Sequence, residues 1–433
     1  MLLLIISLTL AGSALVTLVS GRVLRAESIA TSVGEFERLS GWRAWTLRLA
    51  NLLVLGTCAT QIARWLLCQA KTTAGFTLWL SYTIFFLSNM ILSAVLGTSH
   101  SFEHGFLYAP IVMLAVYLHP GAPPESYLRH LQASLGLFLM ASLAAAVILP
   151  DLTLETGYYV GIVGLPVRLW GLANHANILG PLAAFYLVVV MHSRVCSSGR
   201  LAAGTLGLIV MVLAQSKTAW AGMLLAGAVL CARWFAICLR SAYAFGRQHP
   251  SSTVAIGSTA MLMVALAAVL VTALVVDFSA LAARLTAGPE ASSLATFTGR
   301  TMVWNRTLEE WQRSPLFGYG PSLWGPEYRL RMGMSFAGQA HNQFIQTLGQ
   351  AGLVGVAGLL VYVGALVAAA VRTAAASAGL SVALLAIVLV RTFTESPFHH
   401  ISMLNVGFYL HLVYFGYLMV LLKSQAGAGK EQT

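Results

Sequence analysis

The sequence predicts an all-α polytopic membrane protein, with about twelve transmembrane helices and one long extramembrane loop containing short helices. Three observations carry this. Hydrophobic residues make up 58% of the 433-residue chain, and its mean hydropathy is +0.79. Charged residues are only 9%, against roughly a quarter in a soluble domain, too few to coat a water-facing surface. The apolar runs are continuous over about 20 residues and do not alternate, which selects helices over a barrel.

In chain order the runs fall near 2–20, 45–67, 74–97, 105–119, 132–150, 175–192, 201–215, 218–239, 253–276, 351–371, 378–395 and 403–422. The first lacks the basic flank of a signal peptide and is read as a retained span. Lys71, Arg129, Arg194, Arg200, Arg233, Arg240, Arg247, Arg372 and Lys423 place their short loops and both termini in the cytoplasm. The loop 21–44 then lies outside despite Arg22, Arg25, Arg38 and Arg43, partly offset by Glu27, Glu35 and Glu37. The expected organisation is a first set of spans with short loops (1–276), a large outer loop (277–350), and the last spans with a cytoplasmic tail (351–433).

The net charge is +11, but the cations are spread through inter-span loops, which excludes a nucleic-acid partner. They point to topology signals, membrane lipids and anionic or phosphate-bearing partners. The five cysteines lie in or beside apolar segments with no metal-like spacing. The only aspartates are Asp151 and Asp277, and no DxD or HExxH occurs. No metal site and no cofactor are expected.

The outer loop carries Arg300, Arg306, Arg313, Arg329 and Arg331 with Trp304, Trp311 and Trp324. Residues 277–298 are small and turn-rich, broken at Gly288-Pro289. A helix is expected from about Gly299, capped by Thr298, with Trp304, Leu308 and Trp311 on one face. Those indoles suit the headgroup level of a bilayer, or pack on the spans. Beyond Gly338 the helical spacing resumes, and Gly349, Gly352 and Gly355 permit close helix approach.

Cations on the outer face run against the topological bias, so an anion is their natural partner. Arg168 can fork onto phosphate oxygens or snorkel beside Trp170; Asn174, His175 and Asn177 follow it. Lys217 sits in a short polar break. Arg300 opens the loop helix, where the dipole disfavours a cation. His341 stands at the start of a helix, followed by Asn342, and reads as a general base or as a structural cap. Arg391 and Glu395, at i and i+4, form a pair that is either functional or only structural.

Four motifs in this order, RLWGLANHANILG (168–180), QSKTAW (215–220), GRTMVW with SPLFGYG (299–304 and 314–320), and AHNQFIQTLGQAGLVG (340–355), resemble the bacterial O-antigen ligases. The wider membrane family also holds O-antigen polymerases and protein O-oligosaccharyltransferases. The resemblance implies a multi-pass enzyme of the bacterial inner membrane with its site and long loop facing the periplasm. It would transfer a glycan from undecaprenyl pyrophosphate to a sugar hydroxyl of lipid A–core, without a metal and with inversion. By motif, His341 matches the essential histidine, and Arg168 and Arg300 the essential arginines. Lys217 stands where relatives carry Arg, keeping the charge but losing the bidentate fork. These three cations would bind pyrophosphate, with His175, Asn342, Arg391 and Glu395 in support. The alternatives are an O-antigen polymerase, a protein O-oligosaccharyltransferase, or a transporter of an anionic lipid or solute.

Overall fold

A computed structural model of the protein describes residues 1–24, 41–68, 74–158, 165–192, 198–246, 300–399 and 402–430. Among these, six helices are long and apolar enough to cross a membrane: α1 (Leu2–Ser20), α2 (Trp42–Cys68), α3 (Phe76–Leu96), α5 (Pro124–Ile148), α11 (Gln343–Thr373) and α13 (Val406–Lys430). Shorter apolar helices are α4 (Tyr108–Tyr117), α6 (Ala176–His192), α7 (Ser198–Ala214) and α12 (Leu380–Thr394). Besides the single turns His104–Leu107 and Pro150–Thr153, the remaining helices among the described residues are α8 (Lys217–Gly246), α9 (Arg300–Arg313) and α10 (Pro326–Met332). The chain is a multi-pass, mostly helical membrane protein. The expected span at 253–276, the turn-rich 277–298 and the Thr298 cap lie outside the described residues.

Helix α13 is the hub. It is apolar all round, as a fully enclosed helix must be, with Phe408, Tyr409, Leu412, Val413 and Phe415 all buried. It packs on α1, α4, α5, α6, α11 and α12. At the other extreme, α2 exposes Leu52, Leu53, Leu66 and Leu67, a face suited to lipid tails. At its start Arg43 and Arg48 stack over the exposed Trp42 and Trp45, at 5.8 and 5.0 Å, the amphipathic anchoring expected at a membrane–water interface.

The structure sharpens three expectations. The chain is not purely helical: β1 (Leu154–Thr156) and β2 (Val167–Leu169) form a two-stranded antiparallel sheet that sets Glu155 opposite Arg168. Helix α5 starts at Pro124, well before residue 132, because its polar first turns still bury Tyr127 and Leu131. Helix α9 turns Val303, Thr307 and Glu310 inward, while Trp304, Leu308 and Trp311 are half-buried and Trp304 packs beside Val303. Glu310 is buried between Arg313 (2.9 Å) and Arg306 (3.8 Å) and accepts from the Tyr328 hydroxyl (2.9 Å), tying α9 to α10.

Helix α11 begins at the Asn342 cap, eight residues before the apolar run, and is broken at Gly352 (φ 61°, ψ −156°). In an apolar surround the freed backbone groups must find partners. Leu353 and Val354 N–H donate to Pro315 and Leu316 O, and Tyr319 and Gly320 N–H donate to Gly349 and Gln350 O, at 2.8–3.1 Å. Asn89, in the π-turn Leu87–Ile91 of α3, donates to Gly355 O at 3.0 Å and accepts at its own carbonyl from Gln350 at 3.0 Å. The break therefore docks the 315–320 segment onto the spans. A Cβ at position 352 would land on the Leu316 carbonyl as well as requiring a left-handed φ. Gly352→Ala is expected to cost about 2 kcal/mol or more, read as a lower Tm of the purified protein. Gly364→Ala, whose Cβ would meet nothing within 4 Å, leaves Tm unchanged or raises it.

Candidate active site

Two of the residues singled out from sequence, His341 and Arg300, meet on a third, the Glu395 carboxylate. Glu395 is the residue after the last turn of α12 and is 3% exposed. Its Oε2 lies 2.8 Å from His341 Nδ1 and accepts from Gln339 Nε2 at 2.7 Å. Its Oε1 accepts from Asn177 Nδ2 at 2.8 Å and lies 3.8 Å from an Arg300 Nη. Burial alone pushes this carboxyl up. His341, His175 and Arg300 outweigh burial and hold it down, to about 2, so it is ionised at neutral pH. A carboxylate can only accept, so Nδ1 carries the imidazole proton and Nε2 keeps a lone pair.

His341 is held in a conformation few side chains adopt. Its φ is +49°, a left-handed backbone costing about 1–2 kcal/mol for a residue with a Cβ. Its neighbours fix it there. Ala340 is clamped on both sides, its carbonyl accepting from Trp304 Nε1 at 2.7 Å and its N–H donating to Gln346 Oε1 at 2.8 Å. Asn342 caps α11, its Oδ1 accepting from Phe344 and Ile345 N–H at 3.0 and 3.1 Å. The helix cap is thus Asn342, which leaves the His341 side chain free of that duty. Gln215, Trp324 and Ala378 share a left-handed backbone, but of these four His341 is the one that lines the cavity, where backbone strain commonly serves function.

The cations are placed differently from one another. Arg300 opens α9 and reaches the carboxylate directly. Arg168 is 6% exposed. It donates through Nε to Ala214 O (3.0 Å), through one Nη to Asn177 Oδ1, and stacks over Tyr158 at 4.5 Å. Its other Nη is 3.8 Å from Glu155. Arg168 is therefore linked to Glu395 through the Asn177 amide, with few donors left for a ligand. Lys217 is the exposed first residue of α8. Its neighbour Thr218 bonds Thr394, beside Glu395, at 2.9 Å. This brings α6, α8, α9, α11 and α12 together at one end of the fold.

His175 takes a capping place: its carbonyl accepts from Ile178 and Leu179 N–H, its Nδ1 accepts from Asn177 N–H at 3.0 Å, and its ring lies 4.3 Å from Trp170. Arg391 is 2% exposed and its Nε has no hydrogen-bond partner. Nothing in the residue pattern assigns a role at this site to Asn177, Gln339, Trp304 or Gln346. Neutral amides and an indole carry no charge anomaly, and their roles exist only once distant segments meet.

His341 and Glu395 face a cavity of about 860 Å³. Its wall mixes apolar side chains such as Ile178, Leu404 and Phe408 with Asn174, Asn405 and Arg22. Arg168, Lys217 and Arg300 are not part of that wall. Among the described residues, no cluster of three or more His, Cys, Asp or Glu is arranged to hold a metal.

Residues 202–360 match the family model described as O-Antigen ligase. The match includes Lys217, Arg300 and His341, while Arg168, His175, Arg391 and Glu395 fall outside it. A search of curated proteins finds no match to the chain. With Lys217, Arg300 and His341 inside the matched stretch, the central part of the chain is similar to the O-antigen ligase superfamily.

Proposed function

We propose that the protein is an O-antigen ligase: it transfers O-antigen polysaccharide from undecaprenyl pyrophosphate to a sugar hydroxyl of lipid A–core, in lipopolysaccharide biosynthesis. The observation that carries this reading is the His341–Glu395 pair, with Arg300 on the same carboxylate and the imidazole facing a large cavity. The family match supports the class of reaction.

In this reading His341 Nε2 removes the proton from the acceptor hydroxyl as its oxygen attacks the anomeric carbon of the donor. The C–O bond to the lipid pyrophosphate breaks on the opposite face, its electron pair leaves with the phosphate oxygen, and the carbon inverts. Glu395 keeps the proton on Nδ1 and stabilises the imidazolium that forms. The leaving group gains negative charge, which Lys217 and Arg300 meet from exposed or half-exposed positions. Arg168, with its donors engaged, contributes its charge and holds Asn177. No step needs a metal. The site and the 277–350 loop face the periplasm, and the enzyme works in the bacterial inner membrane.

The deciding experiment supplies purified protein with undecaprenyl-pyrophosphate-linked glycan and either lipid A–core, a pilin-like protein, or no acceptor. Glycan appearing on lipid A–core alone is the expected result. Chain growth without an acceptor would make the protein a polymerase, and transfer to the protein acceptor an O-oligosaccharyltransferase. Donor movement across the bilayer with no transfer would make it a transporter.

A further inference from the structure

The cavity beside His341 contains a polar group that the transfer step leaves unused. Asn174 Oδ1, Arg391 Nε, Ser396 Oγ and His399 Nε2 are buried without hydrogen-bond partners among the described residues, and all four residues line this cavity. Buried polar atoms left unpaired are costly, and four sharing one cavity wall mark a place where a ligand completes them.

The charges say which ligand. The carboxylates in the wall are both compensated from outside it: Glu155 by Arg168 at 3.8 Å, and Glu395 by Arg300 at 3.8 Å. The arginines in the wall are not. Arg22 spends its donors on the carbonyls of Leu152, Ala173 and Gly171, at 2.7–2.8 Å. Arg391 sits one helical turn before Glu395, whose oxygens already serve His341, Gln339, Asn177 and Arg300. The two arginines and two glutamates of the wall balance formally, but both glutamates are already engaged by arginines outside it, and the guanidinium nitrogen left without a partner fits an anion.

We infer that Arg391 is a specificity-determining residue which binds a carboxylate or phosphate group carried by the acceptor glycan. It rests on the transferase reading above. The cavity is the acceptor's side of the reaction, because His341 opens onto it while Arg168, Lys217 and Arg300 do not. The anionic group on the acceptor, gripped by Arg391 with Asn174, Ser396 and His399 bonding neighbouring sugar oxygens, registers one hydroxyl at the imidazole.

The test uses the full-length protein in detergent with two synthetic lipid-linked acceptors, identical except that one carries a uronic acid where the other has the neutral hexose. Wild type is expected to favour the acidic acceptor through a lower KM. A hydrogen bond to a charged group corresponds to roughly tenfold to a hundredfold in that preference. Arg391→Gln abolishes the preference by raising KM for the acidic acceptor alone, and Arg391→Lys keeps part of it. A fall in kcat shared equally by both acceptors would overturn the inference, since it would mean that Arg391 only balances Glu395. Binding is measured separately by titrating the acidic acceptor, or phosphatidylglycerol vesicles, into protein of unchanged helical content. Arg391-dependent binding of the vesicles alone would assign the site to a lipid headgroup and also overturn it. If wild type transfers glycan to neither acceptor nor to lipid A–core, it is the transferase reading that fails.

Discussion

Replacing His341 with alanine is expected to lower glycan transfer to lipid A–core by about 10²–10⁴-fold, the usual contribution of a positioned general base. The argument is geometric. The side chain is about a quarter exposed and faces the cavity, its Nδ1 is committed to Glu395 at 2.8 Å, and its backbone is strained at φ +49°. Alanine keeps a Cβ, so the left-handed strain remains while the imidazole goes. The buried Glu395 does lose a partner, so a somewhat lower Tm is expected, and unchanged helical content serves as the folding control. Donor affinity, carried in this reading by Lys217 and Arg300, stays within a few-fold of wild type. In cells the variant leaves lipid A–core without O-antigen; full-length lipopolysaccharide from it would refute the catalytic assignment.

Glu395→Gln tests how His341 is made a base. The amide is nearly isosteric, but its NH₂ can donate to Nδ1 and so favour the tautomer with its proton on Nε2. That tautomer cannot accept the acceptor's proton, and the carboxylate that stabilises the imidazolium is gone. A loss of about 10²–10⁴-fold in kcat is expected, by analogy with a catalytic triad whose carboxylate is made an amide. The acceptor KM changes little. Glu395→Asp keeps the charge at a longer reach and recovers part of the rate. If Glu395→Gln retained a near-normal kcat, Nδ1–Oε2 contact would be structural only. The variant also has a signature in acid. The wild-type carboxyl is held below its ordinary 4.5, to about 2. Its contribution to stability is therefore present above about 4.5 and lost as pH falls through about 2. The glutamine variant lacks that pH-dependent component.

Of the twelve expected runs, the six that form helices able to cross a membrane among the described residues were legible because an apolar run has no other use for so much hydrophobic length. Their ends were less so. The start of α5 at Pro124 is polar on one side and reads as loop, although Tyr127 and Leu131 are buried. The start of α11 depends on the Asn342 side chain and its interruption on a single φ at Gly352, neither of which hydropathy records. At the site, the charged members stood out as cations and a histidine out of place. Glu395 was visible only as a partner for Arg391 one turn away, whereas its oxygens turn to His341, Gln339, Asn177 and Arg300. Asn177 reaches it across 218 residues of chain and Gln339 across 56. Contacts of that separation leave no periodicity to read.

That separation also bears on the order of synthesis. During translation and membrane insertion, Asn177 emerges first, then Arg300, Gln339 and His341, and Glu395 last. Until α12 has inserted, the imidazole has no carboxylate to set its tautomer, and the left-handed turn at 341 lacks one of its anchors. A nascent chain thus carries its base for some 50 residues of elongation without the means to use it. On the proposed mechanism, the base gains its carboxylate only with Glu395, and the hub helix α13, which follows it, must still insert before the spans can pack.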